Sequence, residues 1–491
     1  MDQTRLFAAI VVSIAILLGW QLIATRYLPH PPEPTKQSEQ APKAKSATPA
    51  EGGPQAGAPA SPAAPPALAQ NAPRLKVAAP SVRGSVDLQG ARLDDLILNH
   101  YRETTAPDSP DVQLLTPLSN AHPYFVQFGW SAAPGSNVKL PGDDTIWTAS
   151  APELTADHPV TLSWNNGAGL DFHMLLSIDD HYMFSVKQEV TNHTGAPVQL
   201  YLWQRIRRDY TPETSGYYIL FEGLTGVSDG TQRFYGYPKT REDAKDKPGD
   251  VAYSATGTGG WSGITDKYWL TALIPDQSTA STVQYRYIPG GAGHYQVDYV
   301  TPTPQTIAPS ATATNATLVF TGAKVVDILQ NYQNEYHIVR FVDAVDWGWF
   351  YFLTKPIFYC LDFLNGLLGN FGLAIIVFTV FVKVLFFPLA NYSYRSMSKM
   401  RLLSPKITAL RERMKDDPAK LQQEMMALYK AEKINPASGC LPMIVQIPVF
   451  FSLYKDIFVT IEMRQAPFYG WIHDLSQIDP TNVFNLFGLL P

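Results

Sequence analysis

The chain has 491 residues, a net charge of −5, ten histidines and two cysteines, Cys360 and Cys440. The length leaves room for about three domain-sized units, while the mild charge gives no sign of a nucleic-acid partner. Two cysteines in apolar segments exclude a disulfide framework, and the absence of HExxH, GxGxxG and P-loop motifs leaves no cofactor, nucleotide or metal to be expected.

The N-terminus has one basic residue, Arg5, followed by an apolar run from Leu6 to Ala24. A run of about 19 residues is just long enough to cross a hydrocarbon core about 30 Å thick. A cleaved signal peptide is the alternative, but it has a shorter apolar region and a small-residue cleavage site. The following "IATRYLPHPP" contains no such site. We therefore expect residues 1–28 to form an uncleaved transmembrane signal anchor.

Residues 29–83 are rich in proline, alanine, glutamine and lysine, as in "PHPPEPTKQSEQAPKAKSATPAEGG". Such a segment has too few apolar side chains to offset the entropy of folding. We expect a disordered linker that holds the next domain away from the membrane anchor.

Residues 84–323 contain many short runs rich in valine, threonine and aromatic residues, separated by glycine, proline, asparagine and aspartate. Such punctuated runs predict antiparallel strands in a large two-sheet sandwich. The runs are "YFVQFGW", "DTIWTAS", "VTLSWNN", "HMLLSI", "MFSVKQEVTN", "VQLYLWQ", "STVQYRYI", "YQVDYV" and "ATLVF". The predicted fold class is therefore a large all-β domain attached to an α-helical transmembrane core.

Residues 324–370 predict connecting helices. A helix-like stretch runs from Ala323 to Asp343, and an aromatic-rich stretch follows from Trp347 to Asn370. The second stretch contains Lys355, Pro356 and Asp362, and its tryptophans and tyrosines favour the headgroup level of a bilayer. We expect it to be an amphipathic helix in the membrane interface rather than a span.

Two clear spans follow, at residues 371–390 and 438–462, on either side of a basic loop at 391–437. The loop has ten lysines and arginines against five acidic residues. The positive-inside rule therefore places it in the cytoplasm and the β domain on the outer side of the membrane. Residues 463–491 end in an apolar tail too short to span, so we expect an outer loop, the start of a further span and a truncated chain.

The basic loop itself predicts a helical hairpin. Its first stripe of apolar residues has i+3 and i+4 spacing from Met397 to Met414, and a second helix is expected to begin near Pro418. These stripes pack on each other, or else a methionine-lined basic surface docks cytoplasmic partners. The candidate docking residues are Arg401, Lys406, Arg411, Arg413, Met425 and Met426.

A single charge, Lys383, interrupts the apolar run "LAIIVFTVFVKVLFFPL". Lys383 lies about 9 Å from Leu389 along a helix, so its side chain could snorkel to the cytoplasmic headgroups. Alternatively it faces a hydrated cavity, as intramembrane charges usually do. Thr379 one turn away and Gln446 on the next span favour a shared cavity, although an interhelical hydrogen bond also explains a lone Gln446.

The candidate groove residues are Lys383, Gln446, Thr379, Cys440 and Pro442. Lys455 and Asp456, near the other end of the second span, are expected to reach the outer interface together.

The segment "MSKMRLLSPKITALRERMKDDPAKLQQEMMALYKAEKINPASGCLPMIVQIPVFFSLY" and the later "RQAPFYGWIHDLSQIDP" resemble the YidC family of membrane protein insertases. "GWSGITDKYWLTALIP" at Gly260–Pro275 resembles the periplasmic domain of its Gram-negative members. The order of anchor, linker, sandwich, interfacial helix, spans and basic hairpin is also that of the family.

The resemblance implies insertion of nascent membrane proteins into the bacterial inner membrane, alone or beside the Sec translocon, without nucleotide or enzymatic catalysis. It implies five core spans around a cytoplasm-open hydrophilic groove. One basic residue, usually arginine, lies in that groove at the position of Lys383. Membrane lipids, and a ribosome or signal-recognition receptor at the hairpin, are the further partners implied. The sandwich of relatives is similar to a sugar-binding supersandwich, which by itself implies no sugar chemistry.

Two other classes of protein remain open at the level of the residues. A transporter or channel predicts charges paired across several spans. A membrane-anchored sugar enzyme predicts two carboxylates in a cleft of the sandwich.

Overall fold

In a computed structural model of the chain, the structure describes residues 72–414, 417–432, 436–470 and 472–477. The predicted signal anchor at 1–28, most of the predicted linker at 29–83 and the last residues of 463–491 lie outside these ranges. The described residues form a β domain that is followed by helices.

The β domain has two sheets. The first is eleven-stranded, and its strands are antiparallel except for β1 beside β7. Its members are β1 (Arg74–Ala78), β2 (Val82–Asp87), β3 (Arg92–Arg102), β4 (Asp111–Leu115), β5 (Tyr124–Ala132), β7 (Glu153–Leu154), β11 (Val198–Arg208), β14 (Val251–Thr258), β17 (Ala280–Ile288), β18 (His294–Val300) and β19 (Gln305–Ile307). The strand order is β14-β17-β18-β11-β5-β3-β2-β1-β7, with β4 beside β3 and β19 beside β11.

The second sheet is nine-stranded and antiparallel throughout. Its members are β6 (Thr148–Ala149), β8 (Val160–Asn165), β9 (Leu170–Ile178), β10 (Met183–Asn192), β12 (Gly223–Ser228), β13 (Thr231–Gly236), β15 (Trp261–Thr265), β16 (Trp269–Ile274) and β20 (Thr312–Ala323). The strand order is β13-β12-β15-β16-β20-β10-β9-β8-β6. The last strand, β20, lies between β16 and β10, so the chain leaves the β domain from inside a sheet.

Buried and more exposed side chains alternate along the strands, and the buried ones form the core. In β9, every second side chain from Leu170 to Ile178 is buried, and β11 shows the same period from Val198 to Arg208. Successive side chains of a strand point to opposite faces, so this period gives each sheet one apolar face. The buried side chains of both sheets form one continuous cluster, which makes the domain a sandwich.

The described residues contain six α-helices, the first within the β domain and the other five after it. They are α1 (Tyr237–Ala244), α2 (Val326–Glu335), α3 (Tyr351–Leu368), α4 (Phe371–Arg413), α5 (Pro418–Ala431) and α6 (Leu441–Val459). Short 3₁₀ helices occur at Pro248–Asp250, Phe341–Ala344, Pro436–Gly439 and Ile461–Met463. Two of the described helices, α4 and α6, are long and apolar enough to cross a membrane. The predicted fold class, an all-β sandwich with an apolar helical core, is therefore confirmed.

The junction between α3 and α4 follows from two residues. Gly369 ends α3 in the left-handed region at φ +68°, which glycine adopts without the clash of a Cβ atom. Asn370 then caps α4, because its side-chain oxygen accepts a hydrogen bond from the Leu373 N–H at 3.1 Å. The chain consequently turns sharply between the predicted interfacial helix and the first predicted span.

Three predicted boundaries were wrong. The β domain begins within the predicted linker, because Leu75 and Val77 of β1 are buried in the core. The stretch predicted as helix from Ala323 to Asp343 ends as α2 at Glu335, since His337 and Arg340 have positive φ angles.

The third boundary is the break between the span 371–390 and the hairpin. The structure has one helix of 43 residues that continues through Pro388 and Pro405. Its length is about 65 Å, twice the thickness of a bilayer core of about 30 Å. The first span and the first arm of the hairpin are therefore a single helix.

Candidate functional site

Two polar side chains interrupt the apolar part of α4. Thr379 and Lys383 lie one turn apart, and both are exposed. Within the described ranges, the Lys383 ammonium makes no hydrogen bond and no ion pair. A charge in an apolar span is costly unless it faces water or a polar partner. Lys383 is thus available to a group that neither α4 nor the described neighbouring helices supply.

The helices α3, α4 and α6 pack around a small apolar cluster. Its buried members are Ile357, Leu361, Ala374, Phe378 and Met463. Val382 of α4 and Val449 of α6 lie at the edge of this cluster. Lys383 is the next residue after Val382, about 100° further around the helix, and is not a member of this cluster.

Gln446 lies one turn before Val449 on α6 and is exposed. It makes no hydrogen bond to any residue that the structure describes, so an interhelical hydrogen bond within these ranges is not its role. Lys383 and Gln446 thus lie on two helices that pack together, α4 and α6. Within the described residues, no hydrogen bond joins the two side chains. A shared cavity stays a prediction.

The start of α6 is held against α4 by serine contacts. The Ser393 hydroxyl donates to the Gly439 carbonyl at 3.2 Å, and the hydroxyls of Ser438 and Ser396 bond to each other. Cys440, which directly precedes α6, is exposed. Pro442 is half-buried in the first turn, where its missing N–H leaves no helical bond unmade. These contacts fix the hairpin end of α6 and the two groove candidates there.

The second arm of the hairpin begins where the sequence predicts. Asp417 caps α5 by accepting a hydrogen bond from the Lys420 N–H at 3.0 Å, and Pro418 occupies the first turn. The arms are joined by an ion pair of 2.8 Å between Lys406 and Glu432. Both side chains of this pair are largely solvent-accessible, so it contributes little to stability.

The six candidate docking residues differ in accessibility. Arg401, Arg411 and Arg413 are exposed, and so is Met426. Met425 is half-buried, and Lys406 is exposed but paired. The surface available to a partner therefore consists mainly of the arginines and Met426. No described contact tests their role.

The prediction for Lys455 and Asp456 was wrong. Lys455 does not extend to solvent: its side chain is 4% exposed, and its ammonium forms an ion pair with Asp346 at 2.6 Å. The ammonium also donates to the Ile219 carbonyl of the β domain. Asp456 is fully buried, and within the described residues neither of its carboxylate oxygens has a hydrogen-bond donor.

Sequence reasoning missed this contact between α6 and the β domain. Asp346 precedes Lys455 by 109 residues, and no local spacing links the two. Asp346 also accepts hydrogen bonds from the Phe221 N–H at 3.0 Å and the Gly348 N–H at 3.1 Å. A charged pair at the end of an apolar helix was the only sequence signal available.

The segment after α6 contacts both α2 and α4. The Glu462 carboxylate accepts a hydrogen bond from the Val326 N–H at 2.9 Å, at the start of α2. Phe468 packs on Gly372, where a Cβ atom would come within 2.1 Å of the ring. The outer ends of α4 and α6 are therefore both anchored.

In a comparison with known proteins, two family models match this chain. A family model described as the YidC periplasmic domain matches residues 74–360. A second, described as 60Kd inner membrane protein, matches residues 363–491. Together they cover the β domain, all helices from α2 onward and part of the chain beyond the described ranges.

Two curated relatives are similar over the whole chain. A membrane protein insertase YidC from Granulibacter bethesdensis is 54% identical over 492 residues, covering 100% of this chain and 84% of the relative. That from Acidiphilium cryptum is 52% identical over 517 residues, with the same coverage. A crystal structure of an active YidC insertase with its first transmembrane domain resolved is 18% identical, covers 84% of this chain and 79% of that chain, and gives a TM-score of 0.30.

Proposed function

The chain belongs to the YidC family of membrane protein insertases, and we propose that Lys383 supplies the positive charge of a cytoplasm-facing groove through which nascent membrane proteins reach the bilayer. The protein is an inner-membrane insertase with a periplasmic β domain and is not a catalytic enzyme. This family membership sets aside a transporter and a sugar enzyme.

The proposal rests on the Lys383 ammonium, which has no hydrogen-bond or ion-pair partner among the described residues. It is exposed in the apolar part of α4. Its neighbour Val382 packs against the cluster of α3, α4 and α6, and we place the groove beside this cluster. Thr379 on the same side of α4 and Gln446 on α6 extend the polar surface.

The proposed mechanism is electrostatic. A carboxylate at the centre of a membrane helix costs about 3 kcal/mol on insertion scales, whereas each leucine contributes only about 0.5 kcal/mol. An acidic residue that has to cross the centre of the bilayer therefore offsets about six leucines. A hydrated groove with a positive charge lowers this cost while the apolar segment moves laterally into lipid. Lysine keeps the charge but lacks the paired donors of arginine, so the contact is that of a point charge.

The hairpin is proposed to receive partners on the cytoplasmic side. Arg401, Arg411 and Arg413 present exposed positive charge, and Met426 adds an adaptable apolar side chain. A ribosome or a signal-recognition receptor fits this surface, since both contacts would be charge-dependent. Cooperation with the Sec translocon, a cytoplasmic location of the hairpin and further spans are part of the same proposal.

The test moves the charge without removing it. In the swap variant F381K/K383F, the ammonium stays within about 3 Å of its depth but turns about 160° to the opposite face of α4. Phe381 is itself exposed, so the site accepts a long side chain. Insertion of a substrate with an acidic flank is measured in cells depleted of their own insertase, for the swap and for Lys383→Arg, Lys383→Ala and Lys383→Glu.

We expect Lys383→Arg to retain insertion, and the alanine, glutamate and swap variants to lose about tenfold, the equivalent of about 1.4 kcal/mol. A substrate with a neutral flank is the matched control and should be affected much less. Full insertion by the swap variant or by Lys383→Glu would show that position and sign of the charge are irrelevant, and would refute the groove.

A further inference from the structure

A cavity of about 940 Å³ lies where the β domain meets the helices. It is bounded by the loop after β11 (Ile219–Phe221), the segment before α3 (Val345–Phe350) and two residues of α6, Phe451 and Lys455. Its volume lies within the range of about 300–1,000 Å³ that is usual for binding sites of small ligands.

The mouth of the cavity carries exposed aromatic side chains. Tyr218 is 98% and Trp349 is 88% exposed, and Tyr351 is also largely uncovered. Further along α3, Phe363 and Leu367 are exposed as well. Aromatic residues of this kind concentrate at the headgroup level of a bilayer. The cavity therefore opens towards the layer in which α3 is expected to lie.

The charges inside the cavity do not balance. Arg340 and Lys355 both pair with a single carboxylate, Asp343, at 2.6 Å each. Lys455 pairs with Asp346. Three cations against two carboxylates leave one positive charge in excess. Because Arg340 and Lys355 remain partly exposed, their unused donors can reach a ligand in the cavity.

We propose that this cavity binds one anionic phospholipid of the outer leaflet. The phosphodiester lies at Arg340 and Lys355, and the adjoining part of an acyl chain packs on the aromatic wall. A lipid with one net negative charge neutralises the excess charge of the site, whereas a zwitterionic lipid does not. The inference goes beyond insertion itself and depends on the outer placement of the β domain, which cysteine accessibility from the periplasm tests independently.

The experiment uses the whole protein in nanodiscs. Two lipids with the same diazirine near the headgroup are compared, a phosphatidylglycerol and a phosphatidylcholine, and labelled peptides are identified by mass spectrometry. We expect the phosphatidylglycerol to label Val345–Tyr351 several-fold more strongly than the phosphatidylcholine. Lys355→Gln should reduce this labelling by roughly twofold to fivefold, the range for a partly exposed charge pair.

The matched control is Lys76→Gln, which removes an ion-paired lysine from β1, outside the cavity lining. It should leave labelling unchanged, and Asp343→Asn, which raises the excess charge, should increase it. Equal labelling by both lipids, or crosslinks to a translocating polypeptide in place of lipid, would overturn the proposal. The comparison of the two lipids on the unaltered protein decides the matter even where a variant fails to fold.

Discussion

Replacement of Lys455 by methionine removes the ammonium that joins α6 to the β domain and keeps most of the apolar stem. The loss of one partner from a buried ion pair costs about 3–5 kcal/mol, because the other charge is left uncompensated. Asp346 is 19% exposed and retains hydrogen bonds from the N–H groups of Phe221 and Gly348. We therefore expect the low end of this range, about 3 kcal/mol.

Asp346→Asn is the reciprocal perturbation. It leaves the almost completely buried Lys455 ammonium with the Ile219 carbonyl as its described acceptor, so its cost should be at least as large. In the double variant neither charge is stranded. Its cost should fall short of the sum of the single variants by about 1.5 kcal/mol or more, as expected for residues in direct contact.

The assay is denaturant unfolding of the whole chain in detergent, followed by tryptophan fluorescence, to which Trp347 and Trp349 beside the contact contribute. Lys76→Met is the matched control, because Lys76 is also ion-paired but is 69% exposed, and it should cost less than about 1 kcal/mol. A cost for Lys455→Met no greater than that of the control, or strict additivity in the double variant, would refute the docked position of α6.

Three further predictions concern the anchored ends, the β domain and the hairpin. Gly372→Ala should clash with Phe468 and cost about 1–3 kcal/mol, visible as faster hydrogen exchange in the segment after α6. Burial raises the pKa of Asp94 to about 6, so the native state holds an extra proton between about pH 4 and pH 6. The contribution of Asp94 to the free energy of unfolding should fall by up to about 3 kcal/mol as pH rises through that window, and Asp94→Asn should remove this contribution in urea titrations. Lys406→Gln breaks the exposed pair with Glu432 and should change thermal unfolding by less than about 1 kcal/mol.

The β domain was largely predictable because its signal is local. Strands such as β9 alternate strictly, and alternation needs no knowledge of the partner strand. Strand β1 follows directly on a long run of proline and alanine, so its two core residues, Leu75 and Val77, were assigned to the linker. A short strand at the edge of a low-complexity segment offers too few residues for a periodic signal.

The helical core was predictable in composition but not in its contacts. Lys383 stands out because a charge in an apolar run is visible in a window of a few residues. Lys455 has the same local signal, but it is buried and ion-paired. The sequence did not predict this pair because its partner Asp346 lies far away in the chain. The boundary predicted between the span and the hairpin is absent because α4 continues through Pro388, where a proline removes one helical bond while the neighbouring turns remain.

We propose above that Lys383 and Gln446 line the groove through which the substrate reaches the bilayer. The most direct measurement places a photoreactive amino acid at each position and exposes the protein to a ribosome-stalled nascent membrane protein. Phe381 and Ile444, which are exposed and about 160° away on the same helices, serve as matched control positions. We expect crosslinks to the nascent chain from 383 and 446 and few from 381 and 444. Equal crosslinking from both faces, or crosslinks only from the control positions, would contradict it.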